Sequence, residues 1–388
     1  LTLIYLAITC AAFQVAAVFL AGIRQRHISN FEDLPRRDLE RFPKVSIVVP
    51  ACNEGETIGP ALKTLSALDY PDLELIVVND RSTDQTGAVI DQAAALDPRI
   101  VAVHNEELPE GWLGKVHALH LGQKASSGDW ILFTDADVHL APDALKRTVG
   151  YAQSEGLDHL PVCPDLSGRS ALANGCIANF HMHLMFLVSP AAVYDPNKPD
   201  GVGVGGFNLV RRSTLEASHG FEWLRLEVAD DFALGALLKA AGGRCQLVYG
   251  NAIAQVEWYP SMGAMIRGFE KNAYGILAHY SPLKALVKLV GMGAPVVLPV
   301  AALPWTAWHP LGWAAALMPL AACWVVGWFM ARRVGWPYHR FVLAPLTTPM
   351  LWFSLLNGLL KTWQRGGIDW RGTLYSIDEL RAAQRIKL

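Results

Sequence analysis

The sequence predicts an α/β domain built on a mostly parallel, twisted sheet with helices on both faces, joined to transmembrane helices. Three observations carry this expectation. From Lys44 onward, short β-branched runs alternate with helically spaced segments; acidic residues cluster just after those runs; and three long stretches carry no charge. The uncharged stretches are Leu1–Ile23, Leu289–Ala331 and Phe341–Leu360. They explain why a chain of 388 residues is 52% hydrophobic and only 18% charged, with a mean hydropathy of +0.23. Outside them the charge density is that of an ordinary soluble domain. A net charge of −2 with both signs mixed argues against nucleic acid as a partner. Six scattered cysteines without a Cys-x-x-Cys pair argue against a disulfide framework or a zinc site and suit a reducing compartment.

A bilayer core of about 30 Å takes about 20 helical residues to cross. Residues 1–23 and Phe341–Leu360 each suffice for one crossing, and Leu289–Ala331 suffices for two, with a hairpin loop at Pro304, His309 and Pro310. The expected organisation is an N-terminal transmembrane helix at 1–23, a domain at 24–284, about three transmembrane helices over 285–360, and a basic tail at 361–388. The first helix has no basic start and no small-residue cleavage site before Arg24 and Arg26, so an anchor is expected rather than a signal peptide. Arg24, Arg26, Arg36, Arg37, Arg41 and Lys44 place the domain in the cytoplasm, as in an integral protein of a bacterial inner (plasma) membrane. Arg332, Arg333 and Arg340 agree, but four crossings put the basic tail outside, against the same rule. Either Phe341–Leu360, interrupted by Pro345 and Pro349, is re-entrant, or the tail breaks the rule. A fourth uncharged stretch, Ser170–Tyr194, holds Asn174, Asn179, His181 and His183. It reads as an interfacial helix over 174–194 or as a buried core helix.

Within the domain, Val45–Val49, Leu73–Val78, Ile100–His104 and Trp130–Thr134 read as strands, with helices over Glu56–Leu68 and Asp84–Leu96. Ligands of such sheets bind beyond the carboxyl ends of the strands. Those ends carry Pro50-Ala51-Cys52-Asn53-Glu54, then Asn79-Asp80-Arg81-Ser82-Thr83-Asp84, then Asp135-Ala136-Asp137. An isolated Asp-x-Asp is more often a solvated turn. After a buried strand, with two other acid-bearing strand ends, it becomes a candidate for Mg²⁺ or Mn²⁺ held with substrate phosphates. Asp230 and Asp231 open a later helical run; one of them suffices as a cap, which leaves the other for chemistry. Gly201–Gly206 contains a literal Gly-x-Gly-x-x-Gly but follows Asp195–Asp200 rather than a buried strand. It therefore reads as a loop closing on a ligand, with Asn208 as a hydrogen-bonding group, and not as a dinucleotide turn.

Taken together, Val48–Glu54, Val77–Asp84, Gly111-Trp112-Leu113-Gly114-Lys115, Asp135-Ala136-Asp137, Gly205-Gly206-Phe207-Asn208 and Asp230-Asp231 resemble a membrane-bound family-2 glycosyltransferase of the GT-A fold. The resemblance runs from about Val45 to Gly275. Its Gly-Trp-x-Gly-Lys piece is similar to the branches of ceramide glucosyltransferase and the carotenoid- and hopanoid-associated enzymes. It implies that Pro50, Asn53, Glu54, Asp80 and Asp135 hold the nucleotide sugar, with Lys115 near its phosphates and Gly206 and Asn208 beside it. It also implies Asp137, with Asp135, as metal ligand, and Asp231, the last of the acidic pair with Asp230, as catalytic base. The implied reaction is an inverting, metal-dependent transfer of one hexose from a nucleoside-diphosphate sugar, a UDP-sugar first of all, to a hydroxyl of a lipid in the bilayer.

One motif departs from the pattern. Where processive synthases and ceramide glucosyltransferase carry Gln-x-x-Arg-Trp, this chain has Arg267-Gly268-Phe269-Glu270-Lys271-Asn272. This suggests a single transfer, with Arg267 or Lys271 either contacting phosphate or acceptor or lying on anionic lipid as the exposed face of a helix. The alternatives are a processive polysaccharide synthase, which needs a polar channel that the uncharged segments do not offer, and a non-catalytic membrane scaffold that binds nucleotide sugars.

Overall fold

A computed structural model of the chain describes residues 2–259, 261–304 and 311–385. His309 and Pro310 of the expected hairpin loop lie outside the described residues. Helix α1 (Thr2–Gln25) leads through a two-residue strand β1 (Ser29–Asn30) into alternating β2 (Val45–Ala51), α2 (Ile58–Ser66), β3 (Leu73–Asp80), α3 (Thr86–Leu96), β4 (Ile100–Asn105), α4 (Gly114–Ala125) and β5 (Trp130–Phe133). Strands β2, β3 and β5 are buried along nearly their whole length. Helices cover both faces of a parallel sheet, which is why these strands are continuous Val/Ile/Leu runs instead of alternating ones. Helix α2 buries Ile58, Ala61, Leu62 and Leu65, the one-sided spacing of a helix laid on a sheet.

The chain continues through β6 (Val138–Leu140), α5 (Ala144–Ser154), β7 (His159–Cys163), β8 (Asp165–Gly168), α6 (Ala171–Leu187), α7 (Pro190–Tyr194), β9 (Asn208–Arg211), α8 (Arg212–Glu216), α9 (Gly220–Leu224), α10 (Asp230–Ala240), β10 (Val248–Tyr249) and β11 (Ala254–Tyr259). Eight strands form one sheet in the order β1-β10-β7-β9-β5-β2-β3-β4. Within it, β9 runs antiparallel to β5 and β7, and the other pairings are parallel. From β2 the chain steps outward to β3 and β4, then returns to the other side of β2 for β5. That reversal opens a crevice at the carboxyl ends of β2 and β5. A second sheet, β6-β11-β8, is formed by the segments that follow β5, β7 and β10.

The remaining helices are α11 (Met262–Ala278), α12 (Pro282–Ala302), α13 (Leu311–Val334), α14 (His339–Val342) and α15 (Ala344–Arg365). Among the described residues, Tyr5–Gln25 of α1 and Gly312–Val334 of α13 are long and apolar enough to cross a bilayer, with mean hydropathies of 2.2 and 1.8. These two helices pack against each other. The uncharged stretch inside the domain is two helices. Ser170 caps α6 by accepting from the Ala173 amide at 3.1 Å, and Pro190 starts α7, where its missing N–H costs nothing. Helix α6 lies between the sheets and the C-terminal helices, in contact with α1, α15 and β8, and buries Cys176, Ile177, Met182 and Met185.

Both ends of α15 are tied to the α/β domain. Just before it, Arg340 pairs with Asp165 of β8; in its first turns, Asn179 of α6 donates to Thr347 and Thr348 at 3.2 and 3.0 Å. Gly366, at φ 68°, ends the helix, and a hairpin of β12 (Gly367–Trp370) and β13 (Thr373–Ser376) followed by α16 (Ile377–Ala383) returns to the domain. There Tyr375 donates to the Trp112 carbonyl at 3.0 Å, and the Arg385 amide donates to Glu227 at 2.7 Å. Ile368, Tyr375 and Leu380 are buried in the same apolar cluster as Val48, Val78 and Leu113. The basic tail is thus part of the domain's surface.

Candidate active site

Pro50 and Glu54 after the body of β2, Asp80 at the end of β3, Asp135 and Asp137 after β5, Lys115 on α4, Gly206 before β9, and Asp230 and Asp231 on α10 all line one cavity of about 930 Å³. Asn53, Asn208 and Arg267 do not line it, and the side chain of Lys271 on α11 lies outside the described residues. Asn53 is exposed and holds a left-handed φ of 56°. Its side-chain oxygen accepts from the Thr83 amide at 2.8 Å while its own amide donates to Ser82 at 3.0 Å, so it staples the ends of β2 and β3 together. Asn208 is 2% exposed and faces His159 across β7 and β9. Arg267 is exposed on α11.

Asp80 is buried and fixed from two sides. Arg81 grips it as a fork, Nε to Oδ1 at 3.0 Å and Nη2 to Oδ2 at 2.9 Å, and Asn105 donates to Oδ1 at 2.8 Å. Arg81, with φ 54°, turns back onto its own neighbour. Gly114 makes room for this pair, since a Cβ there would sit 2.7 Å from Asp80 Oδ2. In the sequence Arg81 stands out only as part of the Asn79–Asp84 motif, and its adjacency to Asp80 is the available signal.

The second group is a charge cluster. Lys115 Nζ lies 2.8 Å from Asp135 Oδ1 and 3.3 Å from Asp230 Oδ2. Burial alone would lower its pKa, but Asp135, Asp230 and Asp231 together raise it, so it stays a cation. Asp231 accepts from the Gly205 amide at 3.0 Å and from the Phe232 amide at 2.8 Å. Burial and the charge of Asp230 push its carboxyl up to about 6, against the pull of Lys115. The N-cap position of α10 is Ala229, so neither acid serves as its side-chain cap. Gly205 threads between carboxylates: a Cβ there would lie 2.9 Å from Asp135 Oδ2 and 3.5 Å from Asp231 Oδ2. The glycine loop, read in the sequence as closing on a ligand, lies against these acids, and its Gly205 amide holds the Asp231 carboxylate.

Asp137 is pushed up to about 7 by burial, then by Asp135 and Glu54. A half-buried acid with two acidic neighbours is relieved by a cation, and carboxylate oxygens suit Mg²⁺ or Mn²⁺. Among the described residues no cluster of three or more His, Cys, Asp or Glu side chains is placed to hold a metal ion. The site therefore fits a cation held by Asp135 and Asp137 only if the remaining ligands come from water and a bound phosphate.

Away from the acids the cavity becomes apolar. Its walls there are Ala17 and Val18 of α1, Met182 and Met185 of α6, Val287 of α12, Cys323 of α13, and Leu351 and Leu355 of α15, with Tyr249, Trp258 and Trp336. No local pattern in the sequence marks these aromatic and helical walls, because they come from five helices and from residues outside them that are far apart in the chain. The tail was missed as well: Trp370 and Arg371 line the same cavity, with Arg371 Nη2 donating to Glu54 Oε1 at 2.9 Å.

Known proteins resemble this chain in sequence and in fold. The sequence profile described as Glycosyl transferase family 2 matches residues 46–216. A β-monoglucosyldiacylglycerol synthase from Synechocystis is 30% identical over 50% of this chain and 40% of its own length, so the chain spans less than half of that relative. The 4,4′-diaponeurosporenoate glycosyltransferase of Staphylococcus aureus is 22% identical over 86% of this chain and 89% of its own. Among solved structures, a mannosyltransferase from Pyrobaculum calidifontis in complex with GDP-Man and Mn²⁺ superposes with a TM-score of 0.60 at 20% identity, over 93% of this chain and 99% of that one. Residues 46–216 form a glycosyltransferase family 2 domain on a GT-A fold.

Proposed function

We propose that the chain transfers a single hexose, with inversion, from a nucleoside-diphosphate sugar to a hydroxyl of a membrane lipid. The observation that carries this reading is the continuity of one cavity, acidic at the sheet's carboxyl edge and apolar where α1, α6, α12, α13 and α15 wall it. A charged donor suits the first half and a hydrocarbon chain the second. By their names, the Synechocystis relative makes a monoglucosyldiacylglycerol and the Staphylococcus relative glycosylates a diaponeurosporenoate, which favours a lipid here.

Asp231 accepts the proton of the acceptor hydroxyl as that oxygen bonds to the anomeric carbon; the bond from that carbon to the donor phosphate breaks, and the nucleoside diphosphate leaves with the electron pair. The Gly205 amide fixes the Asp231 carboxylate for this task. Lys115 offsets Asp135 and Asp230, which lets three acids share one site. Asp135 and Asp137 would hold Mg²⁺ or Mn²⁺, whose charge supports the departing diphosphate. Asp80, fixed by Arg81 and Asn105, is set to receive the nucleoside hydroxyls.

The bilayer reading is three crossings, α1, α12 and α13, with α15 lying along the interface. A helix whose two ends are bonded to one domain does not separate them across a membrane. Leu346, Phe353, Leu360 and Trp363 of α15 are 42–72% exposed, and the first three recur every seven residues along one face. Such a stripe suits shallow insertion among lipid headgroups.

The test is incubation of the purified full chain in lipid nanodiscs with labelled UDP- and GDP-hexoses and Mn²⁺. Label in a lipid bearing one sugar is the expected result. Label confined to a polymer, or to free hexose across a lipid panel, would overturn the proposal.

A further inference from the structure

The basic tail, unexplained by topology in the sequence, ends up at the donor end of the cavity. We propose that Arg371, at the tip of the β12–β13 hairpin, is a donor-binding residue that takes the diphosphate of the nucleotide sugar. This deepens the proposed function and rests on its donor site.

Four observations converge on it. Arg371 lines the cavity together with Cys52, Glu54, Asp80 and Arg81, the residues at the ends of β2 and β3. Its guanidinium is held there by Glu54 at 2.9 Å, in the cavity that Asp135 and Asp137 also line. The cation therefore shares one cavity with the proposed nucleoside cradle and the proposed metal acids, and a diphosphate that uses both must cross that cavity. Arg81 is committed to Asp80 by two bonds and Lys115 to Asp135 and Asp230, whereas Arg371 is 44% exposed and has a carboxylate it can exchange for phosphate. A planar guanidinium binds phosphate oxygens in pairs, which favours such an exchange.

The position is built rather than incidental. Arg371 sits at φ 50° beside Gly372 at φ 83°, a tight two-residue turn between paired strands. Tyr375, Ile368 and Leu380 anchor the hairpin in the core, and the Ser376–Glu379 capping box starts the helix that follows. The tip is thus aimed by a rigid support, as a binding group requires.

Isothermal titration of the full detergent-solubilised chain with UDP, GDP, UMP and GMP tests the assignment. Arg371→Ala should weaken the diphosphate that binds the parent by about tenfold, leave its monophosphate within twofold, and keep the melting temperature, since the side chain bears no core load. Arg371→Lys should recover part of the loss. In turnover, KM for the donor should rise while KM for the lipid holds. Equal diphosphate affinity in parent and Ala variant, or equal loss for mono- and diphosphates, would overturn the assignment and leave the hairpin a brace. Failure of the parent to bind either diphosphate would instead remove the donor-site reading on which it rests.

Discussion

At the scale of single residues, two carboxyls lie well above their ordinary range and their consequences differ. Asp231, pushed up to about 6 by burial and Asp230, must be ionised to take a proton. Turnover should therefore fall as pH drops through about 6, and Asp231→Asn should lower kcat by about 10²–10⁴-fold and remove that acid limb, as a pH–rate series would reveal. Asp137, pushed up to about 7, binds its proton more tightly folded than unfolded, so at pH 8 its charge destabilises the fold. Without divalent metal, Asp137→Asn should raise the melting temperature by about 2–4 °C, and Mn²⁺ should stabilise the parent but not the variant. Unchanged melting in both tests would remove Asp137 as a ligand. These acids were legible because each follows a buried strand or opens a helix. Arg371 was not, because nothing local in the tail says which strand end it will meet.

Among the elements, the sheet was readable and α15 was only half so. Val45–Val49 and Leu73–Val78 are β-branched runs too short for anything but buried strands, and both are central parallel strands. Uncharged length, by contrast, does not distinguish a helix that crosses a bilayer from one that lies on it. What separates them is the distribution of burial: α15 covers Thr347, Leu351, Ser354, Leu355 and Thr362 on the side that packs on α6, α11 and α12 and leaves Leu346, Phe353, Leu360 and Trp363 outward. If that outward stripe inserts among headgroups, replacing Phe353 and Leu360 with Ser should lower lipid-acceptor turnover severalfold. The hydrolysis of donor to free hexose, which needs no lipid, should stay as it was. An equal loss of both activities would mean the stripe serves the fold instead.

On the scale of the whole molecule, the tail constrains the parity of the proposed membrane crossings. The chain from Gly366 to Arg385 is bonded to residues 54, 112, 227 and 280 of the domain, so tail and domain share one side. Arg333 at the end of α13 donates to the Arg26 carbonyl at the end of α1, which sets those two helix ends at the same level. If α13 crosses the bilayer toward the domain, α12 must cross away from it, and a segment before α1 lies opposite. Basic residues then collect on one side, including those of the described tail that conflicted with four crossings. Epitope tags before Leu1 and after Leu388 should behave oppositely in protease protection. In inverted membrane vesicles the C-terminal tag should be cleaved together with the domain and the N-terminal tag protected, with the reverse in right-side-out vesicles. Cleavage of the C-terminal tag from right-side-out vesicles would restore the fourth crossing, and with it would detach Arg371 from the donor site, because a tail on the far side cannot reach Glu54.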